Sequence, residues 1–381
     1  MNSYYLMNKE QILLSFYIKE EYGEKTAYED ECFVPSSLLP VGFSDIQSWL
    51  ERRNYAKHKE HLQKWLKEWQ IDHLEGFIHI THGLSLNDSF WVRPEKASLH
   101  WSEINLYTND FSDIVSRTAF ETGLHGLKLS STSPEFTSEG SFAKCWMKEQ
   151  DGIYLYKKGS DGFANSGLEP YSEYYASQAA DILCRESVMY DLFKYKGALV
   201  SRCRMFTSEK EGFVPFYRYV SGKSSVRYRD VIELCEKHHC ADDFKNMILL
   251  DSVIWNPDRH LGNFGFIVDN DTQEILRFAP VFDHNMSLLA RAMDQDLQKG
   301  FEQYVHVDSR GHKLGGNFLS VGRSMVIKET AEKLRYLTDF NFVPHEKYNL
   351  SKSRIAFLNE LIQRQAGKLL ESQYTASIKM Y

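Results

Sequence analysis

A change of hydrophobic periodicity near residue 227 divides the chain into two halves of different character. Before it, from about residue 74 to 221, short apolar runs alternate with turns, as is typical of β-strands. After it, segments 228–240, 241–256 and 351–372 place their apolar residues at helical spacing. This order predicts an α+β fold with two lobes. A β-rich N-terminal lobe with one prominent helix would precede a mostly helical C-terminal lobe, with a cleft between them.

The same patterns predict three regions: an accessory region at 1–75, the β-rich lobe at 76–222 and the helical lobe at 223–381. Within them the expected strands are 12–18, 76–83, 89–94, two within 141–160, and a hairpin of 198–207 with 212–221. Segment 44–70 predicts one or two helices, and 169–187 predicts a helix with Ser172 as its N-cap. Short strands are expected at 264–270 and 275–283.

Composition narrows the class of protein. The 381 residues are 43% hydrophobic and 14% aromatic, which excludes a disordered chain. A net charge of −7 argues against broad nucleic-acid binding by this chain. The six cysteines are scattered as in a reduced compartment, and neither a membrane span nor a signal peptide is evident. We therefore expect a cytoplasmic protein that binds neither membrane nor nucleic acid directly.

The stretch NPDRHLGN, residues 256–263, follows an apolar helix and concentrates polar groups. Asp258 and Asn263 lie in this loop, and Asp283 follows a strand twenty residues further on. A strand hairpin between Asn263 and Asp283 would bring an amide and a carboxylate together as oxygen ligands for Mg²⁺. Asp258 would then be free to accept a proton from a hydroxyl. These are the parts that phosphoryl transfer requires.

The β-rich half supplies a candidate cation for the phosphates. Lys157 and Lys158 end the strand IYLYKK, and Glu173 lies near the start of the next helix. A strand lysine paired with a helix glutamate positions phosphates in kinases. Alternation puts the two lysines on opposite faces; Lys157 is favoured and Lys158 stays open. Upstream, the segment FTSEGSFAKCW offers a phosphate-covering loop with Ser138, Gly140 and Ser141, although it has no GxGxxG pattern.

Together, N-P-D-R-H-L-G-N (256–263) and A-P-V-F-D (279–283) resemble the HipA-like family of atypical serine/threonine kinases. That resemblance covers roughly residues 131–289 and implies a protein-kinase-like fold, ATP and Mg²⁺ as cofactors, and a protein substrate. It implies Asp258 as the catalytic aspartate, Asn263 and Asp283 as Mg²⁺ ligands, and Lys157 as the phosphate lysine. It also implies autophosphorylation near Ser138, and a toxin role with a small DNA-binding antitoxin as partner. His260 is a further catalytic candidate that could orient the loop or contact phosphate, with a structural role as the alternative.

Other functions fit parts of the pattern. DRHxxN also resembles the loop of phosphoinositide kinases, and Asp-x₄-Asn that of small-molecule phosphotransferases of the aminoglycoside type. A pseudokinase scaffold is the non-enzymatic alternative. Cys235 and Cys240 flank two histidines, but their spacing does not favour zinc. The turn SLNDSFW at 85–91 is expected to be a buried structural corner.

Overall fold

The N-terminal strands form an antiparallel sheet in the order β3-β2-β1-β4. The computed structural model describes residues 2–53, 73–110, 144–162, 166–307 and 310–378. The strands are β1 (Asn2–Asn8), β2 (Gln11–Glu21), β3 (Glu24–Cys32) and β4 (Phe90–Pro94), and helices α1 (Ile46–Arg53) and α2 (Leu74–Thr81) complete this unit. The apolar faces of the sheet and of both helices share one core. The part of the predicted helical segment 44–70 beyond residue 53 lies outside the described residues.

Segment 76–83 was predicted as a strand, and this prediction is wrong because the segment belongs to α2. Leu74, Phe77, Ile78 and Thr81 are buried at helical spacing. His73 caps the helix, since its Nδ1 accepts a hydrogen bond from Gly76 N at 3.0 Å. The β-branched and aromatic residues of the segment favour a strand. A helix places its apolar residues on one face, and burial of that face in the core outweighs the local preference.

A second antiparallel sheet has the order β5-β6-β8-β7. Its strands are β5 (Lys144–Glu149), β6 (Gly152–Lys158), β7 (Tyr190–Tyr195) and β8 (Ala198–Arg204), and α4 (Glu169–Leu183) packs against it. A short helix, α3 (Trp101–Ile104), precedes this sheet. Ser172 is not the N-cap of α4, contrary to prediction, because the helix begins three residues earlier with Pro170 in its first turn. The Ser172 hydroxyl instead lies 2.7 Å from His284 O.

The third sheet joins β9 (Glu211–Pro215), β10 (Gly265–Asp269) and β11 (Ile275–Phe278) in the order β11-β10-β9. The predicted hairpin of 198–207 with 212–221 is therefore wrong, because β8 and β9 belong to different sheets. Strand β9 pairs with β10, with Val214 opposite Phe266. Close approach at this pairing requires glycine, since a Cβ on Gly265 would stand 2.1 Å from Val214 O.

The remaining chain is mostly helical and surrounds the largest core. Its helices are α5 (Tyr228–Lys237), α6 (Ala241–Ile254), α7 (Asp294–Leu297), α8 (Phe301–Val307), α9 (Phe318–Met325), α10 (Lys328–Leu337) and α11 (Lys352–Ile378). Helix α6 is buried continuously from Asn246 to Ile254, so its C-terminal end is held rigidly at the core. The predicted α+β class is confirmed. No helix in the described ranges has an apolar run long enough to cross a membrane.

The 85–91 turn connects the first sheet to β9 and to the chain that precedes it. Thr207 Oγ1 donates to Leu86 O at 2.6 Å, and Phe213 N donates to Asn87 O at 2.7 Å. Arg53 Nη2 donates hydrogen bonds to both carboxylate oxygens of Asp88, at 2.6 and 2.7 Å. Strand β4 also pairs with β1 across the predicted division at residue 75. The three-region division stays a prediction.

Candidate active site

Lys157 connects the two lobes through its ammonium group. It extends from β6, and its Nζ donates to Glu173 on α4 and to Asp283 Oδ1, the latter at 2.5 Å. Its side chain is 12% exposed. Lys158 points to the other face of the sheet and pairs with Asp161 at 2.5 Å. The geometry thus brings Lys157, and not Lys158, to Glu173 and Asp283.

Burial and mutual charge shift the pKa values of Lys157, Glu173 and Asp283 in different directions. Burial disfavours the charged lysine, but Asp283 and Glu173 outweigh it, so the pKa of Lys157 is raised. Glu173 is fully buried, and burial together with Asp283 raises its pKa despite Lys157 and a hydrogen bond from Ser201. Burial also acts on Asp283, but Lys157 outweighs it and lowers the pKa of that carboxyl group. Asp283 is consequently the more readily ionised of the two carboxyl groups.

The loop that follows α6 is closed by its own polar groups. Trp255 ends the helix in the left-handed region at φ 53°. Asp258 N then donates to Asn256 Oδ1 at 3.2 Å, and Asn263 Nδ2 donates to Asp258 O at 3.2 Å. These bonds leave the Asp258 side chain 40% exposed. Asn263 is 9% exposed on the same loop.

His260 takes a different position. It is exposed, and its Nδ1 accepts a hydrogen bond from Gly262 N at 3.1 Å. Within the described part of the chain, its ring makes no hydrogen bond or ion pair with Asp258, Asn263 or Asp283. Its catalytic role stays a prediction. Ser138, Gly140 and Ser141, the expected phosphate-covering loop, lie outside the described residues.

Arg259 and Asp251 form a buried ion pair beneath the loop that the sequence reasoning did not identify. Arg259 is 1% exposed and Asp251 0%. Arg259 Nε donates to Asp251 Oδ2 at 2.9 Å, and Nη2 donates to Oδ1 at 3.0 Å. This bidentate geometry is the strong form of an arginine–carboxylate pair. Asn256 Nδ2 donates to the same carboxylate at 3.0 Å.

The third guanidinium nitrogen of Arg259, Nη1, contacts the backbone of two segments of the site. It donates to Asn263 O at 2.9 Å and to Phe282 O. One guanidinium group therefore holds α6, the 256–263 loop and the residue before Asp283 in a single arrangement. The lone acid in the apolar helix sequence ILLDSVIWN was the available signal, because a buried charge needs a partner.

Asp283 has a backbone conformation that the surrounding contacts impose. Its φ is 60°, in the left-handed region that most residues avoid. Its N–H donates to the Tyr190 hydroxyl at 3.1 Å. Buried His284 follows, with Nδ1 3.3 Å from Arg259 Nη2. Strained backbone held by its surroundings is common at functional sites.

The arrangement places a lysine held by two carboxylates beside a loop that carries an aspartate and an asparagine. Its donors suit a hard cation that takes oxygen ligands and shares them with phosphates. The described residues contain no cluster of three His, Cys, Asp or Glu side chains that could hold a metal alone. The fold and the site thus define a two-lobed, protein-kinase-like architecture.

Comparison with known proteins supports the same class. Over 241 residues the chain is 23% identical to the serine/threonine-protein kinase CtkA of Helicobacter pylori, which covers 55% of this chain and 74% of that protein. This similarity to a bacterial kinase supports the predicted resemblance to the HipA-like atypical kinases. This homology indicates a phosphotransferase of the kinase type. No family model matches the chain.

Two solved structures also align with it, each with a TM-score of 0.49. One is the Helicobacter pylori proinflammatory kinase CtkA, at 18% identity over 64% of this chain and 93% of that chain. The other comes from the Shewanella oneidensis MR-1 toxin–antitoxin complex of HipA, HipB and its operator DNA, at 12% identity over 97% of this chain and 96% of that chain.

Proposed function

We propose that the chain is an ATP- and Mg²⁺-dependent serine/threonine protein kinase of the HipA-like type. The observation that carries the proposal is the Lys157 contact with Glu173 and Asp283 from two different lobes, next to the Asp258 loop. A strand lysine, a helix glutamate and a metal-binding aspartate in contact are the parts that a kinase needs to bind nucleotide phosphates.

On the nucleotide side, Lys157 would bind the phosphates while Glu173 holds its ammonium group in place. Asp283 and Asn263 would hold Mg²⁺, since one supplies a carboxylate and the other an amide oxygen. Bound Mg²⁺ neutralises charge on the phosphates. In support, Asn263 uses its Nδ2 for Asp258 O, and no hydrogen bond to its Oδ1 is found within the described residues.

On the acceptor side, Asp258 would orient the substrate hydroxyl and accept its proton. Its carboxylate is partly exposed, so a hydroxyl group can approach it. Its backbone is fixed by Asn256 and Asn263, and Arg259 fixes the loop beneath it. Arg259 would act as a positioning residue that keeps Asp258, Asn263 and Asp283 in register.

The test is phosphate transfer from ATP labelled at the γ-phosphate, with Mg²⁺, to casein and to the protein itself. We expect Asp258→Asn and Asp283→Asn to lower transfer by about 100-fold or more. Asp296→Asn is the matched control, because Asp296 is a partly exposed aspartate paired with Lys299. Wild-type protein that transfers no phosphate, or variants as active as wild type, would contradict the proposal.

The identity of the acceptor separates the alternatives within this test. Phosphoserine or phosphothreonine in casein supports the protein kinase. Transfer to phosphatidylinositol vesicles or to kanamycin alone would instead support the lipid or small-molecule kinase. ATP binding without any transfer would support the pseudokinase scaffold.

Two finer predictions follow from the sequence resemblance. Autophosphorylation near Ser138 is tested by intact mass after incubation with Mg-ATP, followed by peptide mapping. The toxin role and its small DNA-binding antitoxin are tested by inducing the chain with and without the neighbouring open reading frame. Growth arrest that the neighbour relieves, and that Asp258→Asn abolishes, is the expected result.

A further inference from the structure

Lys313 places a second positive charge beside the 256–263 loop, from a part of the sequence outside every motif considered above. Its Nζ lies 3.9 Å from Asp258 Oδ1. Within the described residues this is the cation that forms an ion pair with Asp258. The Lys313 side chain is 58% exposed, so it faces the same solvent as the Asp258 carboxylate.

A tight loop, Gly311–Asn317, presents Lys313. Gly311 and Asn317 form an antiparallel bridge, and His312 N donates to Gly316 O at 3.0 Å. A Cβ on Gly311 would stand 2.2 Å from Gly316 O, so the closure needs glycine there. The loop therefore has a defined conformation, with Lys313 near its tip.

Two contacts anchor the Gly311–Asn317 loop to the helices beneath the site. The buried His312 ring places Nε2 2.9 Å from Ser252 Oγ on α6. The Tyr228 hydroxyl donates to Gly315 O at 3.0 Å. Because α6 also carries Asp251 and leads into the 256–263 loop, one helix supports both Lys313 and Asp258.

The two lysines at the site differ in how strongly they are held. Lys157 donates at hydrogen-bond distance to two carboxylates. Lys313 stands 3.9 Å from Asp258, which is too far for a direct hydrogen bond. Its flexible stem and three N–H donors remain available to a negatively charged group that arrives next to Asp258.

We propose that Lys313 is a catalytic residue that binds the phosphoryl group during transfer, from the acceptor side. This inference rests on the proposed kinase function. In the step, the acceptor hydroxyl oxygen forms a bond to the γ-phosphorus while the bond to the β,γ-bridging oxygen breaks and ADP leaves. The hydroxyl proton passes to Asp258. Lys313 keeps its own protons and donates hydrogen bonds to the oxygens of the moving phosphoryl group, where negative charge must be stabilised.

The experiment compares Lys313→Ala and Lys313→Arg in steady-state transfer from γ-labelled ATP to casein, with Lys299→Ala as the matched control. Lys299 is 62% exposed and pairs with Asp296, so it repeats the environment of an exposed lysine away from the site. We expect Lys313→Ala to lower kcat by roughly 100-fold with little change in the KM for ATP. Lys313→Arg keeps the charge and is expected to retain more activity than the alanine variant. The control is expected to match wild type.

Each outcome has one meaning. An active wild type with an unchanged kcat in Lys313→Ala overturns this inference and leaves the proposed function intact. A raised KM for ATP with unchanged kcat also overturns it, because Lys313 would then bind nucleotide in the ground state only. A wild type that transfers no phosphate overturns both proposals. Urea unfolding of the variants must coincide with wild type, and a kcat loss that follows lost stability counts against the inference.

Discussion

Removing Arg259 is expected to destabilise the chain and disable the site through one and the same set of contacts. In Arg259→Met, Asp251 stays buried without its bidentate partner, and Asn263 O and Phe282 O each lose a donor. Breaking a fully buried ion pair by removing one partner costs about 3–5 kcal/mol. That is a large share of the 5–15 kcal/mol typical for unfolding a domain. Asp251→Leu strands the guanidinium instead and is expected to cost a similar amount.

The double variant Arg259→Met/Asp251→Leu separates the ion pair from the backbone contacts. Replacing both partners by apolar residues removes the uncompensated charge, so its loss should be smaller than the sum of the single losses by about 2 kcal/mol or more. Phosphate transfer should nevertheless stay low in Arg259→Met and in the double variant, because both lack the donor to Asn263 O and Phe282 O. Urea unfolding followed by tryptophan fluorescence measures the stabilities.

Three results would refute this reasoning. Single losses below about 1 kcal/mol would mean that the pair is not buried as described. Strictly additive losses in the double variant would mean that Arg259 and Asp251 do not act on each other. Full activity in Arg259→Met would refute its role as a positioning residue even if stability falls.

Further predictions concern pH and two glycines. Burial, with a smaller contribution from Arg259, lowers the pKa of His312 from 6.5 to about 4. As pH falls from 6.5 towards 4, the unfolded chain takes up a proton that the folded chain refuses, so the unfolding free energy should drop by roughly 3 kcal/mol. His312→Gln should lose that part of the dependence in urea titrations at several pH values, and an unchanged dependence would count against it. Gly212→Ala should destabilise by about 1–3 kcal/mol, because its Cβ would stand 2.8 Å from Asn87 O. Gly367→Ala lies in helix α11, where no atom outside the adjoining helix backbone comes within 4 Å of the added carbon, and it should stabilise by about 0.5–1 kcal/mol. Thermal melting that ranks the two glycine variants the other way would be the opposing result.

Local sequence patterns predict the structure correctly where the residues of a segment themselves determine its conformation. The α+β class, strands β5 and β6 and helix α6 follow from periodicity and turn residues. The contact of Lys157 with Glu173 agrees with the expected pairing of a strand lysine and a helix glutamate, although strand alternation left Lys158 open. The direct contact of Lys157 with Asp283 was not predicted. In these cases neighbouring residues and the long-range fold favour the same conformation.

Long-range contacts decided what the sequence did not predict. Strand β9 pairs with β10 instead of β8, and segment 74–81 forms helix α2 instead of a strand. In both cases the observed structure buries apolar residues in a core built from distant segments. Arg259 and Asp251 are eight residues apart, yet their partners Asn263 and Phe282 come from different elements. The nearness of Lys313 to Asp258 likewise depends on a loop more than fifty residues away along the chain. Of these pairings, only the buried ion pair has a local signal, the single acid Asp251 in an apolar helix, and that signal does not identify the partner.

A comparison of the two adjacent lysines of β6 tests most directly whether Lys157, held by Glu173 and Asp283, binds the phosphates of a nucleotide. They share one strand, but Lys157 contacts Glu173 and Asp283 while Lys158 contacts Asp161. Titration calorimetry with Mg-ATP should show wild-type affinity in Lys158→Met. Lys157→Met should bind about tenfold more weakly or worse, since losing hydrogen bonds to a charged group costs roughly 1.5–3 kcal/mol. Equal affinities for the two variants would contradict the account.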